Sequence, residues 1–163
     1  MSTEQEIINN AKKQYILANA AGRKILESIF DKSVFAPKIQ DQVKGLKDAC
    51  VVLNRPYEQY FSKSATKNMF PHEVAYRKIT FFIEAINFLN NNWKADFKNP
   101  NQEKHSPYFI NDPKDKAGFG LSLYDTVCTR TSTYLGSRLV VGNKELALYV
   151  GTTMLKEYNE MFL

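Results

Sequence analysis

The sequence predicts an α+β fold: N-terminal helices, a small antiparallel three-stranded meander, and a C-terminal helix packed on the sheet. Three observations support this prediction. Apolar residues recur at helical spacing before residue 93, and short aromatic-rich segments separated by turn residues follow it. Asn143 then stands at the head of a final amphipathic run.

The first helix is expected to begin at Thr3, because Thr3 and Glu6 have the spacing of a capping box. Its apolar residues recur at steps of three and four, and the pattern resumes after Gly22 as far as Phe30. Gly22 is therefore expected to mark a kink or a break.

A second helix is expected from about Ile39 to Leu53, again from its apolar periodicity. The stretch 57–69 is polar and aromatic without a sustained period, and it is predicted to be a loop with room for a short helical turn. The strongest helix then begins at Pro71, which suits a first turn, and Asn90 and its two following asparagines end it. Its apolar stripe makes it the central core helix: Ala75, Ile79, Phe82, Ile83, Ile86 and Leu89.

Three strands are expected in the second half of the chain. They span residues 104–110, 119–124 and 135–141, and the first two are separated by the turn composition Asp-Pro-Lys-Asp at 112–115. Asn143 caps the last helix, which is predicted to run to the C-terminus.

Length and composition indicate one globular domain spanning residues 1–163, since 44% of the residues are hydrophobic and 24% are charged. The net charge of +5 favours an anionic partner, although the basic residues are spread along the chain. Two distant cysteines suit a reducing cytoplasm, and neither a signal sequence nor a membrane-spanning run is evident. No membrane partner is expected.

No catalytic motif, metal-binding spacing or cofactor motif is recognisable, so no catalytic residue, metal or cofactor is predicted. His105 lies near Glu103, and a histidine–carboxylate pair can support acid–base chemistry or bind a metal. A solvent-facing imidazole, however, needs no function. Cys128 lacks an evident activating base in the sequence around it, and Cys50 is assigned to a helix core.

One constellation combines aromatic surfaces with positive charge, as in proteins that hold single-stranded nucleic acid. Arg138 is expected on a strand beside tyrosines, where it grips a phosphate or carboxylate or else pairs with Asp125 or Glu145. Trp93 is expected either to cover the core or to form a binding platform. The predicted binding residues are Arg138, Tyr108, Tyr124, Trp93, Lys104 and Arg130.

Segments 85–97, 104–109, 118–122, 136–139 and 144–151 together resemble small proteins of phages, prophages and other mobile elements in Bacteroidetes. The resemblance is best over about residues 80–163. Those relatives commonly have glycine before the tryptophan and proline and aspartate after it, where this chain has Asn92 and Lys94-Ala95-Asp96. The resemblance implies an accessory protein of a phage or mobile element that acts in a bacterial cytoplasm.

The first functional hypothesis is a non-enzymatic binding module that contacts a host or viral macromolecule, in defence evasion or nucleic-acid handling. A host or viral protein is the favoured partner, with nucleic acid and self-association left open. The second hypothesis is a nucleotide or small-ligand binder. A virion component is the third hypothesis, and an enzyme is the fourth.

Overall fold

The computed structural model describes residues 3–31, 34–111, 121–129 and 139–162. Over these residues the chain forms helices and a two-stranded antiparallel sheet, which confirms the α+β class. It divides into two compact units, Met1–Lys38 and Ile39–Leu163. The expectation that residues 1–163 form a single domain stays a prediction.

The N-terminal unit contains α1 (Thr3–Leu17) and α2 (Ala20–Ile29). The helical pattern is interrupted before Gly22 because Asn19 caps α2. The Asn19 side-chain oxygen accepts a hydrogen bond of 3.0 Å from the Gly22 N–H. The two helices are joined by a hydrogen bond of 2.6 Å from the Tyr15 hydroxyl to Glu27. The Tyr15 ring also stacks on Phe35 at 4.2 Å between centroids.

The predicted helix from 39 to 53 is wrong, because it is two helices, α3 (Ile39–Gln42) and α4 (Leu46–Val52). Gly45 is fully extended between them, and Asp48 accepts a hydrogen bond from the Lys44 N–H at 2.9 Å. The expected loop after Pro56 contains the short helix α5 (Tyr57–Phe61). Between α3 and α4, local hydrogen bonding outweighs the single long helix that the apolar periodicity predicts.

The central helix α6 (Pro71–Leu89) agrees with the prediction in both position and burial. The Glu73 carboxylate accepts the Phe70 N–H at 2.7 Å, which satisfies an amide that the first turn leaves free. Its buried face forms the main core together with the helical segment 144–162. The fully buried side chains on this face include Ile79, Phe82 and Ile86.

The sheet is a hairpin of β1 (Lys104–Asn111) and β2 (Leu121–Thr129). The predicted three-stranded meander is wrong: among the described residues Val141 adds only an isolated bridge to His105, with hydrogen bonds of 3.0 and 2.9 Å. Residues 130–138, which include most of the expected third strand, lie outside the described part of the chain.

Pro107 explains why the pairing with Val141 does not continue along β1. Successive residues of a strand alternate in the edge that they present, so Pro107 faces the same edge as His105. Proline has no N–H and cannot supply the next hydrogen bond of that ladder. The Val140 carbonyl accepts a hydrogen bond of 2.9 Å from the Asn87 side chain of α6.

The C-terminal helix is packed on the hairpin as predicted, but it is divided at Met154 into α7 (Lys144–Thr153) and α8 (Leu155–Phe162). Asn143 caps α7 as expected, accepting the Leu146 N–H at 2.9 Å. Tyr158 of α8 is buried and lies 4.6 Å from the ring of Phe109 in β1. Burial raises the pKa of the Tyr158 hydroxyl, which therefore stays protonated.

Gly151 sets the distance between α7 and the hairpin. A Cβ at this position would lie 2.7 Å from a Leu123 methyl carbon and 2.8 Å from the Pro107 Cβ. The proline ring is rigid and cannot move aside alone. We expect Gly151→Ala to lower the free energy of unfolding by about 1–3 kcal/mol, as overpacked cores do.

Gly45→Ala is the matched control, because no atom lies within 4 Å of the added Cβ and the backbone is extended. It should change the free energy of unfolding by less than about 1 kcal/mol, because the gain from a less flexible unfolded chain is offset by the loss of glycine at the N-cap of α4. Urea unfolding of both variants makes the comparison. Equal stability of Gly151→Ala and the parent chain would refute the close approach.

Candidate functional site

A cleft of about 720 Å³ lies along α6 and the segment that follows it. Its walls are largely aromatic: Tyr76, Phe81, Phe88, Trp93 and Phe97. Polar side chains also line it: Thr80, Glu84, Asn87, Asn92 and Lys94. Apolar walls with a few polar groups are the usual composition of a small-ligand pocket, and the volume falls within the usual range.

Trp93 is held in this cleft by the end of α6. Asn91 and Asn92 both have φ of 53°, a left-handed conformation that asparagine tolerates, and they turn the chain back on the helix. The backbone N–H of Trp93 then donates hydrogen bonds of 2.9 and 3.0 Å to the Asn87 and Asn90 carbonyls. Gly142 lies against the indole, since a Cβ there would be 3.1 Å from two of its ring atoms. Trp93 is half-buried and lines the cleft, which suits a platform as well as a cover.

Asn87 contributes a hydrogen-bond acceptor to this region. Its amide nitrogen donates to the Val140 carbonyl at 2.9 Å, and this bond fixes the orientation of the amide. The remaining oxygen, Oδ1, is buried and has no hydrogen-bond partner among the described residues. A buried acceptor without a partner is costly.

The charge of Glu84 at the cleft is balanced by Arg55. Two hydrogen bonds of 2.8 Å join the guanidinium to the carboxylate, and the guanidinium also lies 5.2 Å from the centre of the Phe81 ring. The hydrogen bond to Glu84 raises the pKa of Arg55. Lys94 is an exposed cation on the cleft wall.

Lys104 is not on an exposed surface: it is fully buried. Its ammonium donates to the carbonyls of Gln102 and Asn99 at 2.9 and 3.3 Å and lies 5.5 Å from the centre of the Phe97 ring. Gln102 in turn donates to the Lys94 carbonyl at 2.9 Å. Lys104 therefore fixes the loop that brings Phe97 to the cleft, and direct contact with a partner would require this arrangement to open.

Tyr108 and Tyr124 form an exposed pair on the hairpin, with ring centres 6.1 Å apart in an edge-to-face arrangement. Tyr124 is the extra residue of a β-bulge, because Tyr108 pairs with Asp125 and the next residue of β1 pairs with Leu123. Neither tyrosine is among the residues that line the cleft. The structure does not describe Arg130 and Arg138, so the predicted place of Arg138 beside these tyrosines stays a prediction, as does a binding role for Arg130.

Asp125, one of the partners considered for Arg138, is paired with Lys144 at 2.9 Å. The other, Glu145, accepts a hydrogen bond of 3.1 Å from Gln40. The hydrogen bond from Lys144, followed by one from the Thr126 backbone, lowers the pKa of the Asp125 carboxyl.

A second arrangement joins residues that sequence reasoning treated separately. His105 and Cys128 are directly opposite each other in the hairpin, and Glu103 stands just before β1. One potential ligand atom from each residue lies within 4.8 Å of the other two. The strand register brings these side chains together. The predicted second strand ended at residue 124, whereas β2 continues to Thr129, so the sequence analysis could not bring Cys128 opposite His105.

The other histidine and cysteine have structural surroundings. His72 stacks on Phe70 with ring centres 5.7 Å apart in the first turn of α6. Cys50 is buried as predicted, in a small cluster with Phe61 and Phe81. Burial raises the pKa of the Cys50 thiol, which disfavours the reactive thiolate.

Comparison with protein families, curated proteins and solved structures finds no match. No helix in the described ranges is both long enough and apolar enough to cross a membrane.

The pairing of Asp125 with Lys144 gives a prediction on acid titration. Lys144→Gln should raise the pKa of Asp125 towards the ordinary aspartate value of about 3.9. Because the folded pKa is lowered, any stabilisation from the pair is present above the ordinary pKa and is lost as the pH falls through the lowered value. This stabilisation is small for an exposed pair.

Carboxyl-carbon NMR over an acid titration measures the shift directly. Lys156→Gln is the control, since Lys156 lies by Glu160 at 3.7 Å on α8. The Asp125 pKa should not change in that variant. An unchanged Asp125 pKa in Lys144→Gln would show that the ion pair does not form in solution.

Proposed function

We propose that the protein is a non-enzymatic binding module that acts on a host or viral macromolecule and engages it through the Trp93 cleft. One observation carries this proposal: the cleft combines aromatic walls with Asn87, whose buried amide oxygen has no hydrogen-bond partner among the described residues. Such a site takes a flat group that carries an N–H donor. A nucleobase has this chemistry, and so does an aromatic side chain on a partner protein.

The exposed side chain of Phe88 lets a large partner reach the cleft wall. It is 52% exposed although it stands on the central helix, and it forms part of the cleft wall. A large apolar side chain left exposed beside a concave aromatic site is typical of an interaction surface. The exposed tyrosines of the hairpin provide further stacking area at another place on the chain.

The alternative is a nucleotide or small-ligand binder, and the volume of the cleft, about 720 Å³, supports it. In this reading Lys94 binds the phosphate and Trp93 stacks on the base. Action for a phage or mobile element in a bacterial cytoplasm is part of the main proposal. The sequence resemblance alone supports that part.

Trp93 is the sole tryptophan of the chain, so its fluorescence reports directly on the cleft. We expect a partner that enters the cleft to change this fluorescence. Phe88→Ala should weaken binding by about 1–3 kcal/mol, the usual contribution of one stacked aromatic group. Val51→Ala is the control, because Val51 is 80% exposed on α4 and is not part of the cleft wall.

The titration uses single-stranded DNA, RNA and a panel of mononucleotides at two salt concentrations. Affinity that rises with oligonucleotide length and falls with salt supports nucleic-acid handling, because phosphate contacts release counterions. Equal affinity for a mononucleotide supports the alternative instead.

If none of these ligands changes the fluorescence, a protein partner is tested with a photo-crosslinking residue at position 88. A host protein captured there but not from position 51 supports the main proposal. Without any fluorescence change and without capture specific to position 88, both proposals fail.

A further inference from the structure

We propose that Glu103, His105 and Cys128 form a binding site for a zinc ion at the open end of the hairpin. The residues lie in one small region through the pairing of β1 with β2. The site is independent of the Trp93 cleft, and neither proposal requires the other. No metal was predicted from the sequence because its two cysteines, Cys50 and Cys128, are far apart along the chain.

The backbone explains why His105 and Cys128 come close. His105 directs its N–H and C=O towards Val141, with which it exchanges hydrogen bonds of 3.0 and 2.9 Å. These groups therefore point away from β2, and His105 and Cys128 form a non-hydrogen-bonded pair. Side chains of such a pair are closer than those of a hydrogen-bonded pair, with Cα atoms about 4.5 Å apart.

The distances suit a tetrahedral zinc ion. Bond lengths of about 2.0–2.3 Å place neighbouring ligand atoms about 3.5 Å apart around the metal. The Nε2 of His105 lies 3.4 Å from the Oε2 of Glu103, and all three ligand atoms are within 4.8 Å of one another. Small side-chain rotations would therefore bring the three donors onto one ion.

The imidazole of His105 is poorly satisfied in the folded chain. The residue is 8% exposed, and its Nδ1 is buried without a hydrogen-bond partner among the described residues. The contact of Nε2 with Glu103, at 3.4 Å, is longer than a good hydrogen bond. A cation bound at Nε2 would replace this weak contact with a metal–ligand bond.

The donor set selects the metal. A thiolate and an imidazole favour zinc and similar transition ions over magnesium and calcium, which prefer oxygen donors. Three protein ligands leave a fourth position for water or another ligand. Cys128 and Glu103 are exposed, so that position is open to solvent.

The test is calorimetric titration of the reduced, chelator-treated chain with Zn²⁺, together with absorption spectra after Co²⁺ addition. We expect one ion per chain and a thiolate-to-cobalt charge-transfer band with the strong visible bands of tetrahedral Co²⁺. Cys128→Ser and His105→Gln should each weaken Zn²⁺ binding at least about tenfold, and Glu103→Gln should weaken it by a similar factor.

The chain provides its own controls in its other cysteine and other histidine. Cys50→Ser and His72→Gln should keep the affinity of the parent chain. Circular dichroism checks that each variant folds. If His105→Gln does not fold, the variants Cys128→Ser and Glu103→Gln, which change exposed side chains, still test the zinc site. Absence of Zn²⁺ binding, absence of the thiolate band, or a loss of binding in either control variant would overturn the site.

Discussion

The rest of the larger unit depends on the burial of one face of α6. Ile79, Phe82 and Ile86 on that face are fully removed from solvent. Each such side chain contributes about 1.5–3 kcal/mol of transfer free energy, so this face accounts for much of a domain's stability. The same helix presents its other side to the cleft, and its last turn places Trp93. One element thus holds the core and positions the candidate site.

Much of the helical structure could be predicted from the sequence because its signals are local. The periodicity of α6 and the cap at Asn143 involve neighbouring residues, and both are confirmed. The errors occur where one residue overrides a longer pattern. Extended Gly45 divides one predicted helix, and Pro107 cannot donate the hydrogen bond that a third strand needs. These effects depend on backbone conformation and on which edge of a strand a residue faces.

The candidate sites could be predicted only in part. Trp93 was identified by its residue type and by its place after the central helix, whereas the cleft around it depends on the loop that Lys104 holds from within. The ammonium of Lys104 was expected at a binding surface, because the sequence does not reveal that it is buried against backbone carbonyls. The closeness of His105 to Cys128 depends on strand register, which periodicity alone does not provide.

Pro107 also affects how the hairpin meets other molecules. A free strand edge is a template on which another chain can add a strand, and this is a common route to aggregation. Along β1 the edge is occupied at His105 by Val141, and the next residue facing that edge has no N–H to offer. The bulge at Tyr124 interrupts the regular spacing of β2 as well. The hairpin can therefore expose its tyrosines to solvent while resisting the growth of an intermolecular sheet.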